Sequence, residues 1–440
     1  MLHLIGTNIL ALIFVLGVMI FVHELGHFVV AKMLKIRVEV FALGFGPRIF
    51  GFRRGETHYR VNILPLGGYV KMTGESFDDE LTGSADEFLS RPKSHRLAVA
   101  VAGPLMNILL AIGLITANFM SGVEVPAYFH EPPVIGSVEP HSAAERSGLQ
   151  IGDKILSVGN TKTPTWQDVD LSIGTSPRRP VIITFERSGQ IQSRTVVPEA
   201  VSEAEIGSIG VDHVIPPVVA MVDPHSPAER AGLRPGDQIL KVRFGSTEVS
   251  NFPDTRRLVM ESEGKPLEFT IRRGDQIFTR TITPIKINGL VRIGYAPPNP
   301  TIIEKFGLGQ ALKEALERSY KLTVITFSIV GKILTGEASI KAMSGPIEIA
   351  KYSGAAARAG AGQLMTFMAL ISLQLGIFNL FPIPILDGGV IFLLLLEGLM
   401  GRDLSLRVKE RIFQIGFIFL ILLMGIVIFN DLNKTLPLFK

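Results

Sequence analysis

The segment Gly17-Val-Met-Ile-Phe-Val-His-Glu-Leu-Gly-His27 determines the fold, because it carries an apolar stretch directly into ionisable residues. Residues 1–22 contain no Lys, Arg, Asp or Glu, and about 20 apolar residues suffice to cross a bilayer as a helix. An ionisable side chain well inside a span costs about 3 kcal/mol and usually serves a function. The segment therefore predicts a membrane-spanning helix that ends in a functional site.

His23 and His27 have the spacing of paired metal ligands. Residues four apart lie on one face of a helix, so both imidazoles can bind the same zinc ion. Glu24 follows the first histidine directly, where H-E-x-x-H proteases keep their acid/base. We therefore expect a zinc site at the end of the first span.

Three further stretches are free of charged residues and long enough, or nearly long enough, to span a bilayer: residues 97–123, 364–386 and 412–430. Residues 1–22 lack a basic n-region and a small-residue cleavage site, so we interpret them as a retained span rather than a signal peptide. The sequence thus predicts four transmembrane segments.

The third of these segments is interrupted. Pro382 and Pro384 precede Asp387, and residues 388–400 are apolar again, which predicts a broken helix. A catalytic zinc site usually has three protein ligands, and Asp387 is the best candidate for the third. An aspartate after a proline break could also cap the following helix, and the two roles are compatible.

The composition agrees with a membrane protein. The chain has 440 residues, of which 47% are apolar and 19% charged, with a mean hydropathy of +0.36. Soluble domains are about a quarter charged, so a purely cytosolic or disordered chain is excluded. The net charge of +4 is too small for nucleic-acid binding, and the lack of cysteine excludes disulfides and a thiol nucleophile.

Basic residues predict the orientation in the membrane. Residues 31–96 carry eleven Lys and Arg and residues 401–411 carry four, whereas the first 22 residues carry none. By the positive-inside rule, both termini and the large region between spans two and three lie outside the cytoplasm. We therefore expect a multi-pass membrane protein with this region outside the cytoplasm.

The extracytoplasmic region contains a repeat. Pro140-His-Ser-Ala-Ala-Glu-Arg-Ser-Gly-Leu-Gln-Ile-Gly-Asp-Lys-Ile-Leu156 recurs 84 residues later as Pro224-His-Ser-Pro-Ala-Glu-Arg-Ala-Gly-Leu-Arg-Pro-Gly-Asp-Gln-Ile-Leu240, with twelve of seventeen positions identical. Each copy resembles the bacterial PDZ domain, which binds extended peptide tails by strand addition. The alternatives are inert spacers and steric gates.

Two other segments suggest contact with membrane or substrate. Residues 306–320 place Phe306, Leu308, Leu312, Leu316 and Tyr320 at helical spacing among charges, which predicts either an amphipathic helix on the lipid surface or an ordinary packed helix.

The stretch Tyr59-Arg-Val-Asn-Ile-Leu-Pro-Leu-Gly-Gly-Tyr-Val-Lys-Met72 alternates partly like a strand. We expect a membrane-associated hairpin that uses Gly67, Gly68, Tyr69 and Val70 to pair with unwound substrate. The alternative is a loop that merely connects two spans.

The predicted fold class is a polytopic α-helical membrane protein with four transmembrane helices, the third broken, and two β-rich extracytoplasmic PDZ-like domains. The predicted boundaries are 1–35 for the first transmembrane helix with the zinc motif, 36–96 for the cytoplasmic-side loop with the hairpin, 97–123 for the second transmembrane helix, 124–205 and 206–292 for the two PDZ-like domains, 293–360 for an amphipathic helical linker, 361–400 for the broken third segment, and 411–431 for the fourth helix.

Three motifs together resemble the site-2 protease family of intramembrane zinc metalloproteases. They are His23-Glu-Leu-Gly-His27, Ala102-Gly-Pro-Leu-Met-Asn107 and Asn379-Leu-Phe-Pro-Ile-Pro-Ile-Leu-Asp-Gly388. The resemblance covers nearly the whole chain. It implies an inner-membrane enzyme that cuts transmembrane segments of already shortened proteins. The implied substrates are an anti-sigma factor of an envelope stress response and the remnants of signal peptides.

The resemblance also implies roles for individual residues. One zinc ion is bound by His23, His27 and Asp387, and Glu24 is the catalytic acid/base. The substrate backbone is contacted by Asn379 and its motif neighbours Pro382 and Pro384.

Two other functional classes remain as alternatives. A non-catalytic membrane PDZ scaffold would carry a vestigial zinc site, but such a protein has no need to keep Glu24 and Asp387 in apolar spans. A transporter would also use broken helices and buried acids, but its membrane halves should show internal symmetry, and the repeat is confined to the polar region.

Overall fold

The chain divides into two compact units. The first comprises Met1–Val123 and Glu304–Lys440, and the second comprises Glu124–Ile303. The first is helical apart from one β-hairpin, whereas the second is built from short strands and short helices. The computed structural model describes residues 2–75, 82–201, 206–287, 290–335 and 345–435.

Helices in the first unit have 14 to 32 residues, and those in the second unit have four to ten residues. The helices are α1 (Leu2–Met33), α2 (Lys93–Ser121), α3 (Ala143–Arg146), α4 (Trp166–Gly174), α5 (Pro227–Arg230), α6 (Phe252–Glu261), α7 (Leu308–Leu334), α8 (Pro346–Ala359), α9 (Ala361–Asn379), α10 (Asp387–Met400) and α11 (Leu406–Thr435).

The strands in the second unit are short, whereas the first two strands of the chain are long. The strands are β1 (Val38–Arg54), β2 (Thr57–Met72), β3 (Val123–Pro126), β4 (Ser137–Val138), β5 (Lys154–Val158), β6 (Thr161–Lys162), β7 (Val181–Arg187), β8 (Gln190–Val196), β9 (Glu199–Val201), β10 (Ile206–Ser208), β11 (Val211–Asp212), β12 (Met221–Val222), β13 (Gln238–Phe244), β14 (Thr247–Val249), β15 (Leu267–Arg273), β16 (Gln276–Ile282), β17 (Ile285–Ile287), β18 (Leu290–Arg292), β19 (Tyr295–Ala296) and β20 (Thr301–Glu304).

Four helices of the structure correspond to the four predicted membrane spans. Among the described residues, the helices long and apolar enough to cross a bilayer are Gly6–Met33, Lys93–Ser121, Ala361–Asn379 and Arg407–Leu432. The third apolar segment is interrupted, because α9 ends at Asn379 and α10 begins only at Asp387. The proline-rich turn between them also holds Ile385 at a positive φ of 85°.

Buried charges at the ends of the helices are satisfied by other helices. Asp431 of α11 is fully buried, and its carboxylate accepts hydrogen bonds from the backbone N–H groups of Gly345 and Ile347, each at 2.9 Å. It thereby caps α8 from a distant part of the chain. Glu397 of α10 is also fully buried and pairs with Lys409 of α11 at 2.7 Å. These contacts fix α11 to its neighbours.

Strands β1 and β2 are bent and form a small sheet. Phe41 lies opposite Val70 on one side and opposite Tyr59 on the other, so the first part of β1 is an inner strand. Gly44 has a φ of 81°, a left-handed conformation that suits glycine, where β1 changes direction. Residues 68–72 consequently form an edge of this sheet.

The repeat produces two modules with the same framework. The first has a sheet of order β6-β5-β7-β8 and the second a sheet of order β14-β13-β15-β16. A serine caps the short helix of each copy, Ser142 before α3 and Ser226 before α5. The aspartate of the repeated Gly-Asp pair makes the same contact in both modules. Asp153 and Asp237 each accept two hydrogen bonds from an arginine on the third strand of the sheet.

Each module extends beyond its predicted end. Ile209 belongs to the hydrophobic core of the first module, and β11 pairs with β4 at its start. Ile293 likewise belongs to the core of the second module, and β19 pairs with β12. The repeated motif marks the beginning of each module but says nothing about its closing strands.

The predicted amphipathic helix is present as α7, and its apolar side chains are mostly exposed. Ala311 and Ala315 form the buried side of the helix. The exposed apolar side chains on its first turns are Leu308, Leu312, Leu316 and Tyr320.

The ion pair between Arg273 and Asp237 in the second module provides a stability test. Replacing Arg273 with alanine leaves Asp237, of which 1% of the side chain is exposed, without its two charged hydrogen bonds. Because Arg273 is itself a third exposed, we expect a moderate lowering of the urea midpoint for unfolding of this module. Urea-dependent pulse proteolysis of the full chain in detergent measures it. The neighbouring exposed Arg272→Ala should change stability by less than about 0.5 kcal/mol, and equal losses in both variants would contradict the assignment.

Candidate metal centre

Three side chains that are distant in sequence meet inside the first unit. His23 Nε2 lies 3.1 Å from Asp387 Oδ2, His27 Nε2 lies 3.4 Å from Asp387 Oδ1, and the two Nε2 atoms are 3.2 Å apart. They are the described residues whose ligand atoms cluster within 4.8 Å of one another. Two imidazoles and a carboxylate form the donor set of a catalytic zinc site.

The size of this triangle fits zinc. Tetrahedral ligands at the usual zinc bond length of about 2.0–2.1 Å lie roughly 3.3 Å from one another. The three separations in the structure are 3.1, 3.2 and 3.4 Å. Three protein donors in this arrangement leave a fourth position for water or substrate.

Close packing of α1 on α2 holds the two histidines. A Cβ atom on Gly103 would lie 2.3 Å from His27 Nε2 and 2.9 Å from His23 Cε1, so only glycine fits beneath the imidazoles. One turn away on the facing helix, a Cβ atom on Gly26 would lie 2.4 Å from the backbone oxygen of Ala102. Glycines on both helices thus allow α2 to form the floor of the site.

The break in the third apolar segment presents Asp387. The residue stands in the first turn of α10, after an N-cap at Leu386, and its carboxylate faces the histidines instead of capping the helix. A Cβ atom on Gly388 would lie 2.1 Å from the backbone oxygen of Phe381, and one on Gly389 would lie 2.5 Å from that of Ile383. The two glycines let the turn fold tightly against the helix that follows it.

A cavity of about 310 Å³ opens beside the three ligands. Glu24 and Asn379 line it together with residues 68–70 of β2. Glu24 also touches the strand, because a Cβ atom on Gly68 would lie 2.8 Å from Glu24 Cγ. A carboxylate, a side-chain amide and a strand edge are therefore brought to one cavity with the ligand cluster.

The strand at this cavity has one edge available. Residues 68–70 pair with the first part of β1 on one side, and among the described residues no strand pairs with the other side. An edge strand presents unpaired N–H and C=O groups to any extended chain that reaches it. The cavity can therefore accept a peptide in extended conformation.

Most of the residues predicted from the sequence lie at this cavity. His23, Glu24, His27, Asn379 and Asp387 line it, as do Gly68, Tyr69 and Val70. Three others do not line it, since Gly67 packs on the ring of Phe45, Pro384 packs on Gly416, and Pro382 lies in the turn before Asp387.

The sequence interpretation missed several contributors. Val99 supplies a backbone oxygen to His27 Nδ1, Gly103 makes room for both imidazoles, and Glu75 lines the cavity from just beyond β2. Asn107 also approaches His23. Gly103 and Asn107 both belong to the motif Ala102-Gly-Pro-Leu-Met-Asn107 in the second span. The signal that could have identified Asn107 is its position as a polar residue inside an apolar span.

Comparisons with known proteins agree on one family. The sequence profile of Peptidase family M50 matches residues 11–423. A "Regulator of sigma-E protease RseP" from Salmonella typhimurium is 35% identical over 97% of this chain and 98% of its own length. The Escherichia coli K12 protein of the same name is 34% identical over 97% and 98%, and a regulator of sigma E protease from Haemophilus influenzae is 32% identical over 95% and 97%.

The glycine floor of the site can be tested with a matched pair of variants. Gly103→Ala should reduce zinc bound per chain by roughly tenfold or more, because the new methyl group displaces the imidazoles. Gly113→Ala on the same helix should bind as the wild type does, since nothing lies within 4 Å of its added Cβ. Elemental analysis of the purified proteins gives the zinc content. Undiminished zinc in Gly103→Ala would refute the packing argument.

Proposed function

Because this chain belongs to peptidase family M50, we propose that His23, His27 and Asp387 hold its zinc ion and that Glu24 is the acid/base for cleavage within membrane-spanning substrates. The protein is a zinc metalloendopeptidase of the site-2 protease type. The observation that carries the residue assignment is the triangle of ligand atoms, 3.1–3.4 Å on each side, with Glu24 on the same cavity.

Zinc bound in this site supplies a Lewis acid that polarises the scissile carbonyl and promotes deprotonation of water. Glu24 then takes the proton from the attacking water and delivers it to the amine nitrogen as the peptide bond breaks. Asp387 and the two imidazoles fix the position of the metal relative to the carboxylate of Glu24.

Substrate presentation follows from the strand edge. A transmembrane helix buries its amides in its own hydrogen bonds, so cleavage requires local unwinding. We expect the unwound segment to add to residues 68–70 as a further strand, because that edge lines the cavity and has no strand partner among the described residues. Asn379, on the same cavity, can bind the substrate backbone through its amide.

The relatives' names support a substrate class. The three relatives described above are all called regulators of sigma-E protease, which favours a membrane-anchored anti-sigma factor, shortened by an earlier cleavage, as substrate in an envelope stress response. Signal-peptide remnants are similar in form, being single apolar helices with little chain outside the membrane. The short strand edge of β2 and the small cavity beside the ligands suit both kinds of substrate.

The proposed topology places both termini and the two repeat modules on the periplasmic side of the inner membrane, and the β1–β2 hairpin on the cytoplasmic side. The distribution of basic residues supports this orientation. Exposed Leu308, Leu312, Leu316 and Tyr320 suit a helix that contacts lipid. Exposed Ile49 and Phe50 at the hairpin suit a membrane-associated sheet.

The two modules are proposed to be PDZ-like domains with unequal grooves. In the second, α6 and β18 border a cavity of about 290 Å³ that Val259, Val291 and Arg292 help to line. In the first, the corresponding strand β10 packs directly on α4, since a Cβ atom on Gly207 would lie 2.3 Å from the backbone oxygen of Ile173. The second groove has room for a peptide tail, whereas the first is filled by its own backbone.

The charges at the two grooves also differ. Arg256 is the fifth residue of α6 and lines the second groove with Arg292, although Asp223 is there too. The fifth residue of α4 is Asp170, whose pKa is raised to about 6 by desolvation and by nearby Asp212. A chain-terminal carboxylate is therefore favoured in the second groove and disfavoured near the first.

A pair of variants tests the catalytic roles. Glu24→Gln should bind as much zinc as the wild type but cleave a single-span substrate at least roughly a hundredfold more slowly, because it removes proton transfer alone. Asp387→Asn should lose zinc and cleavage together. Zinc analysis and a gel assay in detergent give both quantities. Normal cleavage by Glu24→Gln would contradict its role as acid/base, and unchanged zinc in Asp387→Asn would require another ligand.

The second groove is tested separately by peptide binding. The full chain should bind a fluorescent peptide with an apolar, free C-terminus roughly tenfold more tightly than the amidated peptide, because the carboxylate meets Arg256 and Arg292. Arg256→Asp should abolish this preference. Arg257→Asp makes the same charge change on the neighbouring residue, which pairs with Asp254 and Glu261, and should keep the preference. Equal binding of both peptides by the wild type would count against tail recognition.

A further inference from the structure

Each zinc-binding imidazole must offer one ring nitrogen to the metal and keep its proton on the other. For His27 the structure contains the partner of that proton. Its Nδ1 lies 2.8 Å from the backbone oxygen of Val99, which can only accept a hydrogen bond. Nδ1 therefore carries the proton, and Nε2 presents a lone pair to the metal.

His23 requires the same arrangement. Its Nε2 faces the other donors, 3.1 Å from Asp387 Oδ2, so its Nδ1 must carry the proton and needs an acceptor. The group that faces Nδ1 is the side-chain amide of Asn107, 3.2 Å away on α2. Asn107 is completely buried, so water does not substitute for it.

The amide of Asn107 has the acceptor that His23 needs. Its Nδ2 atom faces the imidazole, while Oδ1 is buried and has no hydrogen-bond partner among the described residues. An N–H facing the protonated Nδ1 would be repulsive. A half-turn of the amide, which has nearly the same shape in both orientations, brings Oδ1 to Nδ1 and forms the hydrogen bond.

We propose that Asn107 is a positioning residue of the metal centre, whose Oδ1 accepts the Nδ1–H of His23 and thereby directs Nε2 toward zinc. This role rests on the zinc site proposed above and adds a member to it from a third helix. It parallels the role of Val99 toward His27, with a side chain in place of a backbone carbonyl.

Asn107 is itself held firmly. The hydroxyl of Ser372 on α9, also completely buried, donates to the backbone oxygen of Asn107 at 2.8 Å. Close by, a Cβ atom on Gly376 would lie 2.9 Å from the backbone oxygen of Pro104, so α9 and α2 touch along this turn. A ligand orientation set by Asn107 is thus anchored to the third apolar segment.

The test measures zinc affinity in the full-length protein, by competition with a chromophoric chelator in detergent. Asn107→Leu, of nearly the same size, should weaken zinc binding 10–100-fold, the usual loss when a ligand's hydrogen-bond partner is removed. Asn107→Asp should restore affinity to within about threefold of the wild type, because a carboxylate accepts the same proton. The absorption spectrum of the Co²⁺-substituted proteins reports the ligand geometry at saturating metal.

Thr116→Val on α2 is the matched control, since this buried hydroxyl donates to Ile112 of its own helix, and it should leave affinity unchanged. If Asn107→Leu is poorly folded, Asn107→Ala with the Asn107→Asp comparison gives the same test. Equal weakening by Leu and Asp would identify a packing role and overturn the proposal, as would wild-type affinity and spectrum in the Leu variant. Absence of zinc binding by the wild type would instead overturn the metal centre itself.

Discussion

Lipid offers no hydrogen bonds, so every polar group that this chain carries into its apolar helices must be satisfied by another part of the protein. The rest of the first unit follows from that constraint. Asp431 caps a helix from which it is far in sequence, Glu397 pairs with Lys409, and His27 donates to the backbone oxygen of Val99. The metal centre concentrates the same requirement at one place. The three side chains proposed as its ligands come from two separate apolar segments, and a zinc ion bound between them satisfies all three together.

Glycine residues allow these polar side chains to come together at one site. The ligand cluster needs α1 and α2 in backbone contact, and Gly26 and Gly103 provide that contact where any side chain would collide. The tight turn before Asp387 needs Gly388 for a similar reason. Association of apolar helices gains little from hydrophobic burial in lipid, so close packing and hydrogen bonds must provide the energy. Residues without side chains therefore shape this site as much as the ligands do.

Much of the fold and of the site could be predicted from the sequence, for identifiable reasons. Four charge-free stretches predicted the spans, and His23 and His27 stood out because ionisable residues are costly in an apolar stretch. Other features depended on tertiary contacts that no local pattern reports. The module boundary at residue 205 missed Ile209, because its place in the core depends on β11 closing the sheet. Val99 acts through its backbone oxygen, which any residue could provide.

The second unit shows how duplication can separate framework from binding. Both modules keep the aspartate–arginine pair and the serine cap, which stabilise the sheet and the short helix. The grooves have no such constraint, because they can change while the core stays intact. A glycine at residue 207 lets β10 close on α4, whereas its counterpart Val291 lines an open groove. With an acidic residue beside the closed groove and arginines beside the open one, the tail recognition proposed above belongs to the second module.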